Sequence, residues 1–412
     1  MNDLCEWHNQ CIHNSTIEFS TYLYRRNKGG EREYFKTISH ILEFLKKISP
    51  TKNVDGAWLY SMINYWNDEK FTDLIIIYLE ELGLGNPKHN HVKIFNDLLE
   101  GLTVNELNIK LSDEYYHQGC IQLALSYCDI DYIPEILGFN LGYEQLPLHL
   151  LITNYEMKEL GVDSQYFNLH ITVDNLDNGH AKKAINSLIK IASEYEDENL
   201  FFEKLKRGYL LNFVGLNSTD IVKNLNSEQI IKDIFHNKSI IGKNMHSDKC
   251  ILSGMTVNEW LSTPEYVDHF LNVLIEKRFI ILGSDPKHSM FWKMITEHDG
   301  VMFGVFNNAE KQFIFDWILG DNIKKNKIAN LVYKFKSDEY YNYSYNYLNN
   351  DELREIQNQL SACDSLAIKI ENIIPYLAPH LHHKNKGLWC THMFTQLLYP
   401  QLTNPNVKLA NI

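Results

Sequence analysis

Apolar side chains recur at helical spacing along most of the chain, and the first clear example lies near the amino terminus. Ile38, Ile41 and Leu45 fall on one face of residues 34–48 if that segment is helical. Pro50 should end this helix, because proline cannot donate the next backbone hydrogen bond. Gly and Pro are sparse, at 20 and 10 residues, so the pattern predicts an all-α protein.

The next two predicted helices, residues 71–82 and 91–99, are joined by a turn that contains two glycines and a proline. The turn leaves a carboxylate, from Glu80 or Glu81, at the end of one helix, and His91 at the start of the other. A carboxylate and an imidazole placed in this way can converge on one metal ion. Taken alone, the segment also fits a glutamate pair at a helix end with histidines in a solvent-facing first turn.

Residues 133–160 are predicted to form one long helix. Gly138 and Gly142 lie four positions apart, which would let a neighbouring helix or a substrate approach the backbone closely. Pro147 predicts a kink one turn after Glu144. A buried carboxylate without a partner is costly, so Glu144 needs a partner, and a metal ion would serve.

Ligand-type side chains are concentrated in residues 166–180, which the pattern predicts to be a single amphipathic helix. At about 100° per residue, Asp174 and Asp177 share a face with His170, whereas His180 lies about 80° from His170 unless the helix contains a bulge near its end. Four such side chains on an otherwise apolar helix indicate a site for iron or a similar metal. For any one of them, a solvated face with an aspartate–histidine hydrogen bond is the alternative.

Composition narrows the classes of function. A formal net charge of −13 disfavours nonspecific binding to nucleic acid, which usually requires a basic surface. The seven cysteines contain no C-x-x-C pair, so neither a disulfide framework nor a zinc ribbon is indicated. The amino terminus lacks the basic and apolar regions of a secretory signal, and the longest apolar run, residues 74–79, is too short to span a bilayer. We expect a cytoplasmic protein without nucleic-acid or membrane partners.

Together the segments supply carboxylates and imidazoles from separate helices, which is the usual inventory of a dinuclear iron or manganese site in a helical bundle. Three carboxylates and three imidazoles would hold two ions and leave positions open for dioxygen and a substrate. The candidate ligands are Glu81, His91, Glu144, His170, Asp174 and His180.

Three segments resemble a known family, the haem-oxygenase-like diiron oxidases and oxygenases, which are iron-containing redox enzymes. They are residues 81–95, residues 138–156 and residues 166–181, of which the last is the most specific. The resemblance extends over about residues 20–215. It implies a haem-oxygenase-like helical bundle that binds no haem, holds two ferrous ions, activates dioxygen and oxidises amines, amino acids or fatty acids. Manganese is an alternative metal.

Carried over residue by residue, the resemblance implies that Glu81 and His91 are metal ligands from the first pair of helices. It implies that Glu144 is the bridging carboxylate. The walls of the substrate pocket are expected to include Phe139, Tyr143, Tyr166 and Phe167.

The third matching segment would supply His170, Asp174 and His180 as ligands from one core helix. It departs from the simplest family pattern, because Asp177 and Gly179 lengthen the interval to His180. The resemblance therefore leaves open whether Asp174 or Asp177 contacts the metal.

The carboxyl-terminal half is predicted to be mainly helical and has no assigned chemistry. This predicts two domains, a haem-oxygenase-like diiron domain over residues 1–220 and a helical region of unknown role over residues 221–412. Four histidines near the end favour a polar helix end after Pro379 over a second metal site, because few other ligand-type residues lie at suitable spacing. These histidines are His380, His382, His383 and His392.

The leading hypothesis is a nonhaem diiron oxidase or oxygenase that uses O2 on a small organic substrate. Its possible partners include an external reductant and a second copy of the chain in a homodimer. A non-catalytic binding or interaction protein on the same scaffold is the alternative function, although the presence of all six candidate ligands disfavours it. A haem-binding relative would leave the carboxylates without a role. A thiaminase-type relative would need a catalytic cysteine, and neither Cys120 nor Cys128 lies in a matching motif.

Overall fold

The computed structural model describes residues 2–173, 179–320, 331 and 351–403. Over these residues the protein is all-α, as the sequence predicts, apart from a short antiparallel hairpin of β1 (Ile251–Leu252) and β2 (Met255–Thr256). The helices of the amino-terminal half are α1 (Asn2–Asn27), α2 (Ile38–Lys52), α3 (Thr72–Glu81), α4 (His91–Gly101), α5 (His117–Leu125), α6 (Ile133–Tyr143), α7 (Leu148–Glu159), α8 (Gln165–Val173), α9 (His180–Ala192) and α10 (Glu198–Leu210). Those that follow are α11 (Ser218–Lys223), α12 (Ser227–Gly242), α13 (Val257–Trp260), α14 (Pro264–Glu276), α15 (Met290–Thr296), α16 (Asn308–Leu319), α17 (Asp351–Ser361), α18 (Leu366–Ile373), α19 (Asn385–Leu398) and α20 (Pro400–Thr403).

Helix α2 forms where the apolar period predicts it, but it does not end at Pro50. Thr37 caps its start, because its hydroxyl oxygen accepts a hydrogen bond from the backbone of His40. Pro50 lies inside the helix and cannot donate to the carbonyl of Lys46. The hydroxyl of Ser49 donates to that carbonyl instead, at 2.9 Å. The helix therefore continues to Lys52, which brings the chain directly to Asp55.

Two of the predicted long helices are each divided in the structure. The segment predicted as one helix over residues 133–160 ends at Tyr143 and restarts at Leu148. The break follows from Pro147, because the residue before a proline is disfavoured in helical conformation. The predicted helix of residues 166–180 is also wrong. Gly179 is extended, with φ −80° and ψ −172°, so His180 begins the new helix α9.

Two hydrophobic cores hold the fold together, and each contains residues from both halves of the chain. One packs α2, α4 and α8 against α12, α14, α15 and α16. The other packs α3, α6, α9 and α10 against α17, α18 and α19. Each core thus contains residues from before and after position 220. The division of the chain into two domains at that position stays a prediction.

Helices α6 and α10 approach each other more closely than ordinary side chains would allow. A methyl group added at Gly138 would lie 1.9 Å from the carbonyl oxygen of Leu205, and one at Gly208 would lie 1.8 Å from that of Glu135. The close approach of a neighbouring helix that the Gly138 spacing predicts is therefore confirmed. In the part of the chain described, none of the helices has both the length and the apolar character needed to cross a membrane.

Candidate metal centre

Helices α3 and α4 meet at a turn that places a carboxylate against an imidazole. Glu81 is the last residue of α3 and His91 is the first residue of α4. Glycines with positive φ, Gly83 at 65° and Gly85 at 83°, reverse the chain between them. A single antiparallel bridge from Leu82 to Asn90 then closes the turn. As a result, Oε2 of Glu81 lies 2.5 Å from Nδ1 of His91.

Asp55 adds a second carboxylate to this pair. It follows α2 and precedes Gly56, whose φ of 81° suits glycine. A methyl group on Gly56 would lie 2.8 Å from Cβ of Glu81, so the absence of a side chain lets the two segments touch. Asp55 is buried, and its Oδ2 lies 3.0 Å from Nε2 of His170 on α8.

These contacts create a group of four buried residues that could hold one metal ion. Each offers a ligand atom, and these atoms all lie within 4.8 Å of one another. The members are Asp55, Glu81, His91 and His170.

A second buried group lies beside the first and shares Glu81 with it. It contains Glu81, Glu144 and His180. Glu144 occupies the break after α6, and His180 opens α9, so the two divided helices deliver both side chains. Nδ1 of His180 lies 3.1 Å from Oε2 of Glu144 and 3.2 Å from Oε1 of Glu81. Glu81 thus directs one oxygen to each group.

Five of the seven predicted ligands are therefore brought together at the shared Glu81: Glu81 itself, His91, Glu144, His170 and His180. The other two, Asp174 and Asp177, lie outside the described residues.

Asp55 is the residue that the sequence interpretation missed. A lone aspartate carries no ligand spacing of its own. The available signal was its position next to Gly56 at the start of the apolar run Ala57–Leu59, where a carboxylate would be buried. Its partners are distant in sequence, and pattern reasoning does not pair them.

A hydrogen-bond network surrounds Asp55. Tyr166 donates to Oδ2 at 2.5 Å and Tyr143 donates to Oδ1 at 2.8 Å. Nζ of Lys52 lies 3.5 Å from Oδ1 and 3.0 Å from the hydroxyl of Tyr143. Burial alone would raise the pKa of Asp55, but Lys52 and His170 outweigh it and hold the pKa below its ordinary value. Asp55 is therefore an anion in the core.

The second group is also electrostatically coupled. Burial raises the pKa of Glu144 above its ordinary value. For His180, burial favours the neutral form, but Glu144 and the neighbouring carboxylates outweigh it and raise the pKa well above its usual range. Glu80 contributes from outside the group, since its Oε2 lies 3.1 Å from Nε2 of His180 and 2.5 Å from Nζ of Lys183. Glu80 therefore orients the imidazole of His180.

Several atoms of the two groups are buried without a hydrogen-bond partner among the described residues. They include Oε1 of Glu144 and Nε2 of His91, whereas Oε2 of Glu81 and Nδ1 of His91 contact each other. An unpaired buried polar atom is costly, and lone pairs of this kind are what a metal ion uses. Carboxylate oxygens and imidazole nitrogens suit iron or manganese. The donor set therefore fits such an ion.

A cavity of about 510 Å³ opens onto the two groups. Glu81, Glu144 and His170 form part of its wall, together with Lys52 and His149. Burial, followed by the charges of Lys52 and His170, lowers the pKa of His149 to about 3, so its imidazole is neutral.

Of the four predicted pocket walls, Tyr143 lines this cavity. Phe139, Tyr166 and Phe167 are buried in the core instead and do not line it. The reason is that Tyr166 points to Asp55, and the two phenylalanines pack against other aromatic rings.

Comparison with known proteins gives one match. Residues 42–212 match the model of a family described as iron-containing redox enzymes. This part of the chain, less than half of its length, is similar to the iron-containing redox enzyme family. The resemblance seen in the sequence is thereby confirmed, and both ligand groups lie inside the matched residues. The chain matches none of the curated proteins and none of the solved structures with which it was compared.

Proposed function

We propose that the protein is a nonhaem diiron oxidase or oxygenase that uses O2 to oxidise a small organic substrate. The observation that carries this proposal is the sharing of Glu81 by two buried ligand groups. A carboxylate with one oxygen in each of two adjacent groups is the arrangement needed to bridge two metal ions. The family match supports iron as the metal and redox chemistry as the class of reaction.

In this proposal the two groups hold one ion each. Asp55, His91 and His170 would hold the first ion, Glu144 and His180 would hold the second, and Glu81 would contribute one oxygen to each group. The bridge thus differs from the sequence expectation, in which Glu144 had that role. Asp174 and Asp177 stay proposed ligands. Two bound ferrous ions would supply electrons for the reduction of O2, and manganese is the alternative metal.

The residues around the centre would bind the substrate and supply protons. A substrate bound in the cavity would lie against Glu81, Glu144 and His170, which form part of its wall. Lys52 donates to the hydroxyl of Tyr143, which in turn donates to Asp55. This chain of hydrogen bonds runs from the cavity wall to the first ligand group and provides a route for protons to the reacting atoms. The substrate is proposed to be of the amine, amino acid or fatty acid type.

The test is metal loading followed by exposure to oxygen. The metal-free protein would be titrated with ferrous iron without oxygen, and bound iron would be measured by elemental analysis. We expect two ions per chain, and we expect O2 consumption and a transient visible absorbance when air is admitted. Less than one ion per chain after loading would overturn the proposal.

A second candidate is a non-catalytic binding protein in which the same side chains form ion pairs. The contacts of His170 with Asp55 and of His180 with Glu144 favour it, because both are direct hydrogen bonds. Such a protein would bind its ligand equally well with His170→Ala and without iron. An oxidase would lose iron from the first group in the same variant. Cytoplasmic location, an external reductant and a homodimer remain further proposals.

A further inference from the structure

The carboxyl-terminal helix α19 packs directly on the turn between α3 and α4. A methyl group on Gly85 would lie 2.5 Å from the carbonyl oxygen of Leu388 and 2.6 Å from the backbone nitrogen of His392. The hydroxyl of Tyr78, one turn before Glu81, donates to the carbonyl of Leu377 at 2.5 Å. The turn that carries Glu81 and His91 is therefore supported from outside by residues 377–392.

Asn90 is the link between this support and the ligands. It is fully buried, and its Oδ1 caps α4 by accepting from the backbone of Lys93 at 2.9 Å. Its Nδ2 donates to the carbonyl of Leu82 at 3.1 Å. One side chain thus joins the residue after Glu81 to the residue before His91.

His382 completes the hydrogen bonds of Asn90. It is buried, and its Nδ1 lies 3.0 Å from Nδ2 of Asn90. An amide nitrogen only donates, so Nδ1 of His382 must accept and the ring must be neutral. Burial, and then the charge of His383, lower the pKa of His382 to about 3, so the ring keeps this role at neutral pH. The sequence interpretation, a polar helix end after Pro379, did not anticipate that His382 is buried.

We propose that His382 is a positioning residue, which acts through Asn90 to hold Glu81 against His91 and thereby sets the metal affinity of the centre. This inference rests on the proposed function, since it concerns the same ions. It goes beyond the family match, because His382 lies outside residues 42–212. The carboxyl-terminal region, which had no assigned role, would thus support the metal centre.

The spacing of the ligands Glu81 and His91 depends on the turn between α3 and α4. If Asn90 loses the ring acceptor, its amide nitrogen keeps only the carbonyl oxygen of Leu82, at 3.1 Å, and that of residue 382, at the long distance of 3.5 Å. This poorer pairing of a buried amide favours rearrangement of the side chain. Rearrangement would release the cap of α4 and the side-chain hydrogen bond to the carbonyl of Leu82 together, so His91 and Glu81 would no longer be held at one distance. Loss of a residue that orients metal ligands typically lowers metal affinity about 10- to 100-fold.

The experiment is a titration of the full chain with Co²⁺, followed by its visible absorption. His382→Ala removes the acceptor, whereas His382→Gln provides an amide oxygen that can accept from Asn90. His380→Ala is the matched control, because His380 is exposed on the same segment. We expect weaker Co²⁺ binding by about tenfold or more in His382→Ala, recovery of most of the affinity in His382→Gln, and no change in His380→Ala.

The outcomes separate this inference from the proposed function. If the wild-type protein binds no Co²⁺ and no Fe²⁺, the proposed function fails and this inference with it. If the wild type binds and His382→Ala binds equally well, the inference alone is overturned, even where thermal unfolding shows that the variant is less stable.

A second measurement on the wild-type protein covers the case in which His382→Ala does not fold. Hydrogen–deuterium exchange would be compared with and without Co²⁺. We expect slower exchange on binding in peptides from residues 377–392 as well as in those from residues 81–95. Slower exchange in residues 81–95 with no change in residues 377–392 would overturn the inference.

Discussion

Nε2 of His170 lies 3.0 Å from Oδ2 of Asp55. The other ring nitrogen, Nδ1, lies 3.0 Å from the carbonyl oxygen of Tyr166. Both partners are acceptors, so each ring nitrogen must carry a hydrogen and the imidazole is charged. Burial lowers the pKa of His170, but the hydrogen bond and charge of Asp55 outweigh it and raise the pKa to about 9. A metal ion at Nε2 would have to displace this proton.

Asp55→Asn should make His170 titrate much lower. Without the carboxylate, burial dominates, and the pKa of His170 should fall from about 9 to below its ordinary value of about 6.5. The raised pKa stabilises the wild-type fold fully below pH 6.5, and this stabilisation is lost as the pH rises through about 9. Asp55→Asn should abolish it, at a cost of roughly 3 kcal/mol at neutral pH.

The measurement for Asp55→Asn is an NMR titration of the histidines in the metal-free protein, with urea unfolding at pH 7 beside it. Asp268→Asn serves as the control, because it removes the carboxylate that contacts His236 instead. An unchanged His170 titration in Asp55→Asn would show that the charge on this imidazole has another origin.

Glu81→Gln should remove both metal ions, whereas Glu80→Gln should not. Glu81 belongs to both ligand groups, so the loss of its charge weakens both. Glu80 is the neighbouring residue and contacts His180 and Lys183. Glu80→Gln should therefore lower the affinity for the second ion by about tenfold without abolishing its binding. Elemental analysis after iron loading and desalting gives the two stoichiometries. Equal losses in the two variants would contradict the bridging role.

Gly56→Ala should disturb the centre, and Gly29→Ala should not. Both glycines have positive φ, 81° and 86°, so both substitutions cost about 1–2 kcal/mol of backbone strain. At Gly29 nothing lies within 4 Å of the added methyl group, whereas at Gly56 the methyl lies 2.8 Å from Cβ of Glu81. We expect similar or greater destabilisation in Gly56→Ala, and metal loss in that variant alone. Full metal binding by folded Gly56→Ala would argue against the tight contact.

Asp316→Asn should reduce the loss of stability between about pH 4 and 6. Asp316 is buried on α16 beside Ser39, and burial raises its pKa from 3.8 to about 6. Between these values the folded state holds a proton that the unfolded state has lost, so the free energy of unfolding falls as the pH rises, by about 3 kcal/mol in all. Asn has no such titration.

The measurement for Asp316→Asn is urea unfolding of wild type and variant at pH 4 and pH 7. The difference in free energy of unfolding, variant minus wild type, should be more favourable to the variant at pH 7 than at pH 4. A difference that is the same at both pH values would mean that folding does not raise the pKa of Asp316.

The periodic parts of the fold were accessible from sequence because they depend on local rules. The apolar stripe of α2 and the glycine-rich turn before His91 both follow from the conformational preferences of neighbouring residues. The same turn allowed Glu81 and His91 to be paired. The sequence reasoning misjudged Pro50, because the rescue of the Lys46 carbonyl by Ser49 is a side-chain contact that no periodicity contains.

The missed parts of the site depend on contacts between distant residues. Asp55 became a candidate ligand only when its distance to His170 was known. His180 was assigned to the helix of His170, although Gly179 turns the chain first. On a single helix His180 would have pointed about 80° away from His170. Because His180 instead begins the separate helix α9, its direction does not depend on that of His170. Asp174 and Asp177 stay predictions, because they lie outside the described residues.

The contact between Asn90 and His382 joins residues 292 positions apart. During synthesis, α3, α4 and the turn between them leave the ribosome long before residue 382 does. The nascent chain therefore carries this turn without the support of residues 377–392 until those residues have been synthesised. Tight metal binding should accordingly begin only after residue 382 has been synthesised and has reached Asn90.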